Sequence, residues 1–75
     1  MKTLADLKPG QWGVVLEITG EKKFRRRLVE MGITPGTQIL LRKRAPLGDP
    51  LEIYLRGYEL SLRRVEAQTV RVEPK

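Results

Sequence analysis

Glycine and proline interrupt the sequence at short intervals, and this spacing limits the elements that the chain can form. The interruptions are Pro9-Gly10, Gly20, Gly32, Pro35-Gly36, Gly48-Asp49-Pro50 and Gly57. Glycine favours turns because it adopts positive φ angles, and proline lacks the N–H that a helix interior or a sheet requires. The sequence therefore predicts short strands between these turns.

The clearest local signal is a β-hairpin around Arg56-Gly57. If these two residues form the turn, antiparallel pairing places Leu55 opposite Tyr58, Ile53 opposite Leu60 and Leu51 opposite Leu62. All six side chains then share one face, which we expect to be buried. The other face carries Glu52, Tyr54, Glu59, Ser61 and Arg63. One register therefore satisfies every apolar residue of the hairpin.

The first strand is predicted over residues 11–18. A period of two places Trp12, Val14, Leu16 and Ile18 on one face, which we expect to face the core. Val15 interrupts the polar face, and either a β-bulge or burial of both faces would account for it.

The period changes between residues 21 and 31, where Phe24, Leu28 and Met31 recur at helical spacing. This pattern predicts one amphipathic helix. Gly32 is expected at the left-handed C′ position, and Pro35 prevents continuation of the helix. Pro35-Gly36 then forms a tight turn.

The rest of the chain is predicted to form two further strands, at residues 37–44 and 69–73. Their inward side chains are Ile39, Leu41, Val70 and Val72. Residues 45–50 are expected to form a loop, and residues 64–67 a single turn.

A flat sheet of this size would expose edges that aggregate, so the five strands are expected to close into a barrel. The fold prediction is a mainly β, SH3-like barrel with one inserted helix and a short 3-10 turn before the last strand. Residues 1–75 are expected to form one domain.

The composition argues against catalytic, cofactor and metal sites. The chain has neither cysteine nor histidine, which removes thiolate and imidazole ligands and the commonest general base. Ser61 therefore has no histidine to activate it, and no glycine-rich phosphate loop is present. Glu52 and Glu59 could hold a hard cation, although a solvated pair is expected.

The formal net charge of +6 favours acidic partners, anionic lipids or nucleic acid, or a solvated basic surface. We expect a cytosolic protein, because cysteine is absent, Asp6 interrupts any signal-peptide core, and no apolar run approaches the roughly 20 residues of a membrane helix.

Several short segments between residues 7 and 72 carry a further signal through their order and spacing. They are Arg26-Arg27-Leu28, Met31-Gly32-Ile33-Thr34-Pro35-Gly36-Thr37, Ala45-Pro46-Leu47-Gly48-Asp49-Pro50, Gly57, Leu60-Ser61-Leu62-Arg63-Arg64, Glu66-Ala67 and Val70 with Val72. Together they resemble the FeoA family. The resemblance implies an SH3-like fold and a non-enzymatic, regulatory role beside FeoB, the iron transporter whose soluble part carries a GTP-binding domain. Alternatives are a basic module that binds RNA or ribosomal surfaces and, less favoured, a metal chaperone.

The expected partner-binding residues are Lys23, Arg26, Arg27 and Leu47. Arg27 could instead anchor the helix to the barrel, and Leu47 could instead pack in a small cluster beneath its loop. The remaining motif residues, Leu28, Met31, Gly32, Pro35, Gly36 and Gly57, are expected to have structural roles.

Overall fold

The computed structural model describes residues 2–75 and contains five antiparallel strands in the order β4-β3-β2-β1-β5. The strands are β1 (Trp12–Ile18), β2 (Gln38–Arg44), β3 (Leu51–Leu55), β4 (Tyr58–Leu62) and β5 (Val70–Pro74). Helix α1 (Lys22–Glu30) lies between β1 and β2, and the four-residue helix α2 (Arg64–Ala67) precedes β5. A 3-10 turn, Leu4–Asp6, precedes β1.

The sheet curls around one apolar core. The register shifts between Val15 and Glu17 in β1 and between Leu41 and Lys43 in β2, and such bulges bend and twist strands. Fully buried side chains come from every strand, from α1 and from the N-terminal segment; they include Leu4, Leu7, Val15, Leu28, Ile33, Ile39, Leu41, Leu51, Ile53, Leu55, Leu62 and Val70. The predicted SH3-like architecture is confirmed.

The hairpin has the predicted register, with Leu51 opposite Leu62, Ile53 opposite Leu60 and Leu55 opposite Tyr58. Its burial differs toward the turn end of β4, where Leu60 is half-buried and Tyr58 is exposed. The Tyr58 ring leaves the core because its hydroxyl donates a hydrogen bond to the carbonyl of Met31 at the end of α1.

The predicted inward face of β1 is wrong for Trp12 and Leu16, which are 37% and 44% exposed, whereas Ile18 packs against the core as predicted. Val15 is buried instead. Gly13 occupies the other inward position, since a Cβ atom there would lie 3.3 Å from both Leu7 and Val72. The bulge after Val15, one of the two expected explanations, breaks the period of two.

Helix α1 ends as predicted. Gly32 has a φ of +92° and donates to the carbonyl of Val29, while Ile33 donates to that of Leu28. These two bonds form a Schellman motif, which satisfies the last carbonyls of the helix. Leu28 is buried, Met31 packs against the core, and Phe24 is half-buried.

The turn before the last strand is α-helical rather than 3-10. Ala67 and Gln68 donate to the carbonyls four residues earlier, those of Arg63 and Arg64. The observed 3-10 turn, at Leu4–Asp6, packs instead against α2 and β5 near the beginning of the chain.

Candidate partner-binding surface

Helix α1 presents a ridge of three side chains, Lys22, Arg26 and Glu30, which follow one another at a spacing of four residues. A groove lies on each side of this ridge. The polar groove has a volume of about 420 Å³ and adds Lys23 and Arg27 to the ridge residues. The apolar groove has a volume of about 430 Å³ and adds Ile18, Arg25, Val29 and Pro35.

Most of the cations on α1 are not neutralised by the fold. Within residues 2–75, the salt bridges leave out Lys22, Lys23, Arg25 and Arg26. The Lys23 ammonium lies 5.8 Å from the centroid of the Phe24 ring, at the outer limit for a cation–π contact. Two helical turns therefore carry four positive charges that are available to an anionic partner.

Arg27 makes an intramolecular contact that its neighbour Arg26 does not make. Its Nη1 atom lies 3.1 Å from Oε2 of Glu66 in α2, although the two groups form no well-aligned hydrogen bond. The Glu66 side chain is 3% exposed, and its other oxygen accepts a hydrogen bond from the Arg63 N–H. Arg27 therefore links α1 to α2, which is one of the two roles that its position suggests. Its side chain is 62% exposed, so a role in docking stays a prediction.

Leu47 projects into solvent from the loop between β2 and β3. It is 94% exposed, so the expected packing beneath this loop is absent. Leu47 is not among the residues that line either groove of α1. Its loop is attached instead to the start of α2, because Asp49 Oδ1 accepts a 2.9 Å hydrogen bond from the Arg64 N–H. The structure thus brings Lys23, Arg26 and Arg27 together on one groove and leaves Leu47 on a separate loop.

The turn between β3 and β4 holds the end of α1, a contact that sequence patterns did not reveal. Arg56 donates through Nε to the Gly32 carbonyl and through Nη2 to the hydroxyls of Thr34 and Thr37, each at 3.1 Å. We call Arg56 and these three acceptors, together with the Tyr58–Met31 bond, the hairpin clamp. One signal was present in the sequence, because an arginine occupies the first turn position, where asparagine is usual. The structure gives this arginine a φ of +48°.

The positive φ angles of Gly32, Gly36 and Gly57 agree with the structural roles predicted for them. Gly57 follows Arg56 in the turn, and the two positive φ angles are those of a type I′ hairpin. Gly36 donates to the carbonyl of Val15, which connects the turn after α1 to the first strand. The family motif thus specifies how the helix is attached to the barrel.

The carboxylates of the described residues do not form a metal-binding cluster. Over residues 2–75 there is no group of three or more histidine, cysteine, aspartate or glutamate side chains that could hold an ion. Glu52 and Glu59 are not directly opposite each other in the hairpin, and each faces a cation: Lys43 at 3.7 Å and Arg42 at 3.9 Å, respectively. Within the same range, no helix is long and apolar enough to cross a membrane.

Comparison with known proteins identifies the family. The model of the FeoA domain matches residues 2–74. This chain belongs to the FeoA family. It is 37% identical over 70 residues to the Fe(2+) transport protein A/Fe(2+) transporter FeoB fusion protein of Porphyromonas gingivalis. That alignment covers 93% of this chain but only 8% of the fusion protein.

Solved structures of FeoA proteins have the same fold. The FeoA-like protein of Clostridium acetobutylicum is 41% identical with a TM-score of 0.87, and the match covers 97% of this chain and 88% of that one. The zinc complex of FeoA from Stenotrophomonas maltophilia, described as a prokaryotic SH3 domain protein, is 27% identical with a TM-score of 0.84; the match covers 97% and 91% of the two chains. The resemblance inferred from the helix-end motif is confirmed.

Proposed function

We propose that this chain is a non-enzymatic, cytosolic accessory protein of bacterial ferrous iron uptake and that it binds a FeoB-type transporter. The observation that carries the proposal is the Porphyromonas gingivalis relative, in which FeoA and FeoB belong to one polypeptide. Covalent linkage gives two modules a high effective concentration, which replaces the affinity that separate proteins need. The proposal therefore requires a surface on this chain that contacts FeoB.

The basic face of α1 is the best-supported part of such a surface. Lys23 and Arg26 form no salt bridge among residues 2–75, so an acidic partner would not have to break one there. Arg27 would bind while keeping or exchanging its contact with Glu66. Leu47, on its separate loop, would add a desolvated apolar contact. Unpaired rim charges mainly raise the association rate, whereas apolar anchors slow dissociation.

Binding kinetics with the purified, soluble GTP-binding part of FeoB test this proposal. We expect Arg26→Glu to slow association several-fold and to reduce its salt dependence, and Leu47→Ala to speed dissociation. Lys8→Glu is the matched control, because it changes the net charge equally at an exposed site outside α1. Both binding variants should keep the circular dichroism spectrum of the parent.

The proposal is contradicted if no complex with soluble FeoB forms at low salt, because the proposed partner is then wrong. If mixed-sequence RNA binds tightly instead, the alternative of a basic RNA-binding module is favoured. If FeoB binds but the double variant of Arg26 and Leu47 behaves like the parent, the docking surface lies elsewhere on the barrel.

Iron is proposed to be the cargo of the transporter rather than a ligand of this chain. Among residues 2–75 the carboxylates form no preformed ligand cluster, and oxygen ligands alone select ferrous ion poorly. Anaerobic calorimetry should therefore give no saturable heat at micromolar ferrous ion. One ion bound per chain, with binding lost on changing Asp49, Glu52 or Glu59, would overturn this part of the proposal.

A further inference from the structure

The apolar groove on α1 differs in chemistry from the polar groove across the ridge. Its apolar lining residues, which we call the floor, are Ile18, Val29 and Pro35, and Val29 is 47% exposed. Ile18 rests against the core from the end of β1, so the floor is continuous with the rigid part of the fold. A solvent-exposed apolar floor of this kind is stabilised when an apolar side chain covers it.

The rim of the same groove is strongly cationic. Lys22, Arg25 and Arg26 line it together with a single carboxylate, that of Glu30. None of the three cations belongs to a salt bridge among the residues described. An occupant that complements both features must present apolar groups at its centre and negative charges on either side.

The shape of the site favours a peptide over a bilayer surface. The groove of about 430 Å³ is shallow and open, and its two aliphatic side chains do not project far from the surface: Ile18 is half-buried and Val29 is 47% exposed. A bilayer is bound chiefly by apolar side chains that project into it, whereas an apolar side chain of a peptide can cover an apolar surface that does not project. The most exposed apolar residue, Leu47, is not part of this groove.

We propose that the apolar groove binds an acidic peptide segment of the partner, in which one or two aliphatic side chains are flanked by aspartate or glutamate. The aliphatic side chain covers Val29 and Ile18, and the carboxylates pair with Lys22, Arg25 and Arg26. This inference rests on the proposed function in taking the segment to belong to the soluble part of FeoB. The inference adds Val29 as an apolar anchor that lies on the basic helix itself, whereas Leu47 lies on a separate loop.

A synthetic peptide tests the chemistry of the groove without FeoB. The probe is a blocked hexapeptide, Asp-Glu-Leu-Leu-Asp-Glu, titrated into the full chain labelled with ¹⁵N. We expect the amide shifts of Ile18, Arg25 and Val29 to change together and to saturate. The same peptide with serine in place of leucine should bind at least roughly fivefold more weakly, because the apolar contact is lost.

Matched variants then test the same groove against soluble FeoB. Val29→Ser should weaken binding of the peptide and of FeoB by roughly tenfold, whereas Val65→Ser, at an exposed apolar residue of α2 outside the groove, should leave both unchanged. Arg25→Glu should weaken both, with Lys8→Glu as the charge-matched control. Val29 and Arg25 are exposed enough that both variants are expected to fold, which circular dichroism verifies.

The outcomes separate this inference from the proposed function. Peptide binding in the groove without FeoB binding supports the inference on groove chemistry and removes the proposed partner. If FeoB binds Val29→Ser and Arg25→Glu as tightly as the parent, and the peptide causes no change in amide chemical shifts, the inference is overturned and the proposed function stands. Equal shifts with the serine peptide, or stronger shifts with vesicles of phosphatidylglycerol and phosphatidylcholine than with the leucine peptide, also overturn it.

Discussion

The end of helix α1 and the outer face of the same helix both involve arginine, but the fold uses the guanidinium groups differently in the two places. At the helix end, Arg56 donates three hydrogen bonds to Gly32, Thr34 and Thr37. On the outer face, Arg25 and Arg26 have no salt-bridge partner within residues 2–75. The first arrangement stabilises the fold, and the second leaves charge available for binding.

This contrast shows why net charge alone does not locate a docking surface. Arg44 donates to the carbonyls of Ala5 and Leu7, and Arg71 pairs with Glu17, so these cations are already engaged within the barrel. Only cations that have no intramolecular acceptor can offer their full charge to a partner without first losing a contact. Changes in the hairpin clamp should therefore affect stability, and changes on the outer face should affect binding.

The largest expected effect comes from Gly32, which ends α1 and supplies one of the acceptors of the hairpin clamp. Valine at a φ of +92° is strongly strained, and its Cβ would also lie 3.4 Å from Arg56 Cδ and the Tyr58 hydroxyl. Gly32→Val should therefore cost about 3 kcal/mol, or roughly 15 °C in melting temperature. Gly48→Ala is the control, because Gly48 also has a positive φ but no atom lies within 4 Å of the position that a Cβ would take. It should cost about 1 kcal/mol, and equal melting temperatures would show that the helix end was misinterpreted.

Arg56 tests the clamp directly. Arg56→Ala removes three hydrogen bonds and should lower the free energy of unfolding by about 2 kcal/mol, measured by urea denaturation. Arg56→Gly removes the same bonds but relieves the strain of a positive φ at a residue with a Cβ, so it should be less destabilising by about 1 kcal/mol. If both variants are as stable as the parent, the clamp contributes nothing to the fold.

These two regions also differ in how far the sequence predicted them. The Phe24, Leu28 and Met31 spacing with Gly32 and Pro35 defined the helix and its end, because those signals are local. The hairpin register followed from pairing apolar residues across a two-residue turn. In contrast, the hairpin clamp joins residues that lie far apart in sequence, and hydrophobic periodicity contains no information on such polar contacts.

The errors in the sequence predictions have equally specific causes. The inward face of β1 was wrong because an inward glycine carries no hydrophobic signal, and the bulge after Val15 then changes the alternation. The burial of Leu4 and Leu7 was not anticipated, since a three-residue 3-10 turn is too short to show a period. The groove around Val29 was also missed, because its floor combines Ile18, Val29 and Pro35 from three separate elements or loops.

Arg27 and Arg26 provide the closest test of the contrast, because they are adjacent and chemically identical. Arg27→Ala leaves the buried Glu66 carboxylate without its cation and should cost about 1 kcal/mol in the free energy of unfolding; the partial exposure of Arg27 keeps this below the cost of breaking a fully buried pair. Arg26→Ala should change stability by less than about 0.5 kcal/mol. Equal stabilities would mean that Arg27, like Arg26, is free for docking.

The smallest expected effect lies outside both regions, at the 3-10 turn that precedes β1. Oδ2 of Asp6 accepts hydrogen bonds from the backbone N–H and the hydroxyl of Thr3, at 2.9 and 3.1 Å. The pKa of Asp6 is lowered from its ordinary value, chiefly by the Thr3 backbone bond and further by the Thr3 hydroxyl and Lys2, and slight burial opposes this shift. Asp6→Ala should cost roughly 0.5 kcal/mol at neutral pH, the low end for a capping interaction, because Asp6 is the exposed N3 residue of a capping box whose N-cap is Thr3.

The pH dependence of this difference follows from the sign of the shift. Because the folded-state pKa lies below the unfolded one, the ionised carboxylate contributes its stability above an unfolded pKa of about 3.8 and loses it as pH falls through the folded value. The difference between parent and Asp6→Ala, from urea denaturation at pH 7 and pH 3, should therefore shrink on acidification. Asp6→Asn retains an acceptor oxygen without a titrating charge, so its difference from Asp6→Ala should not change with pH. A gap between parent and Asp6→Ala that widens at pH 3 would show that the Thr3 bonds do not favour the charged form.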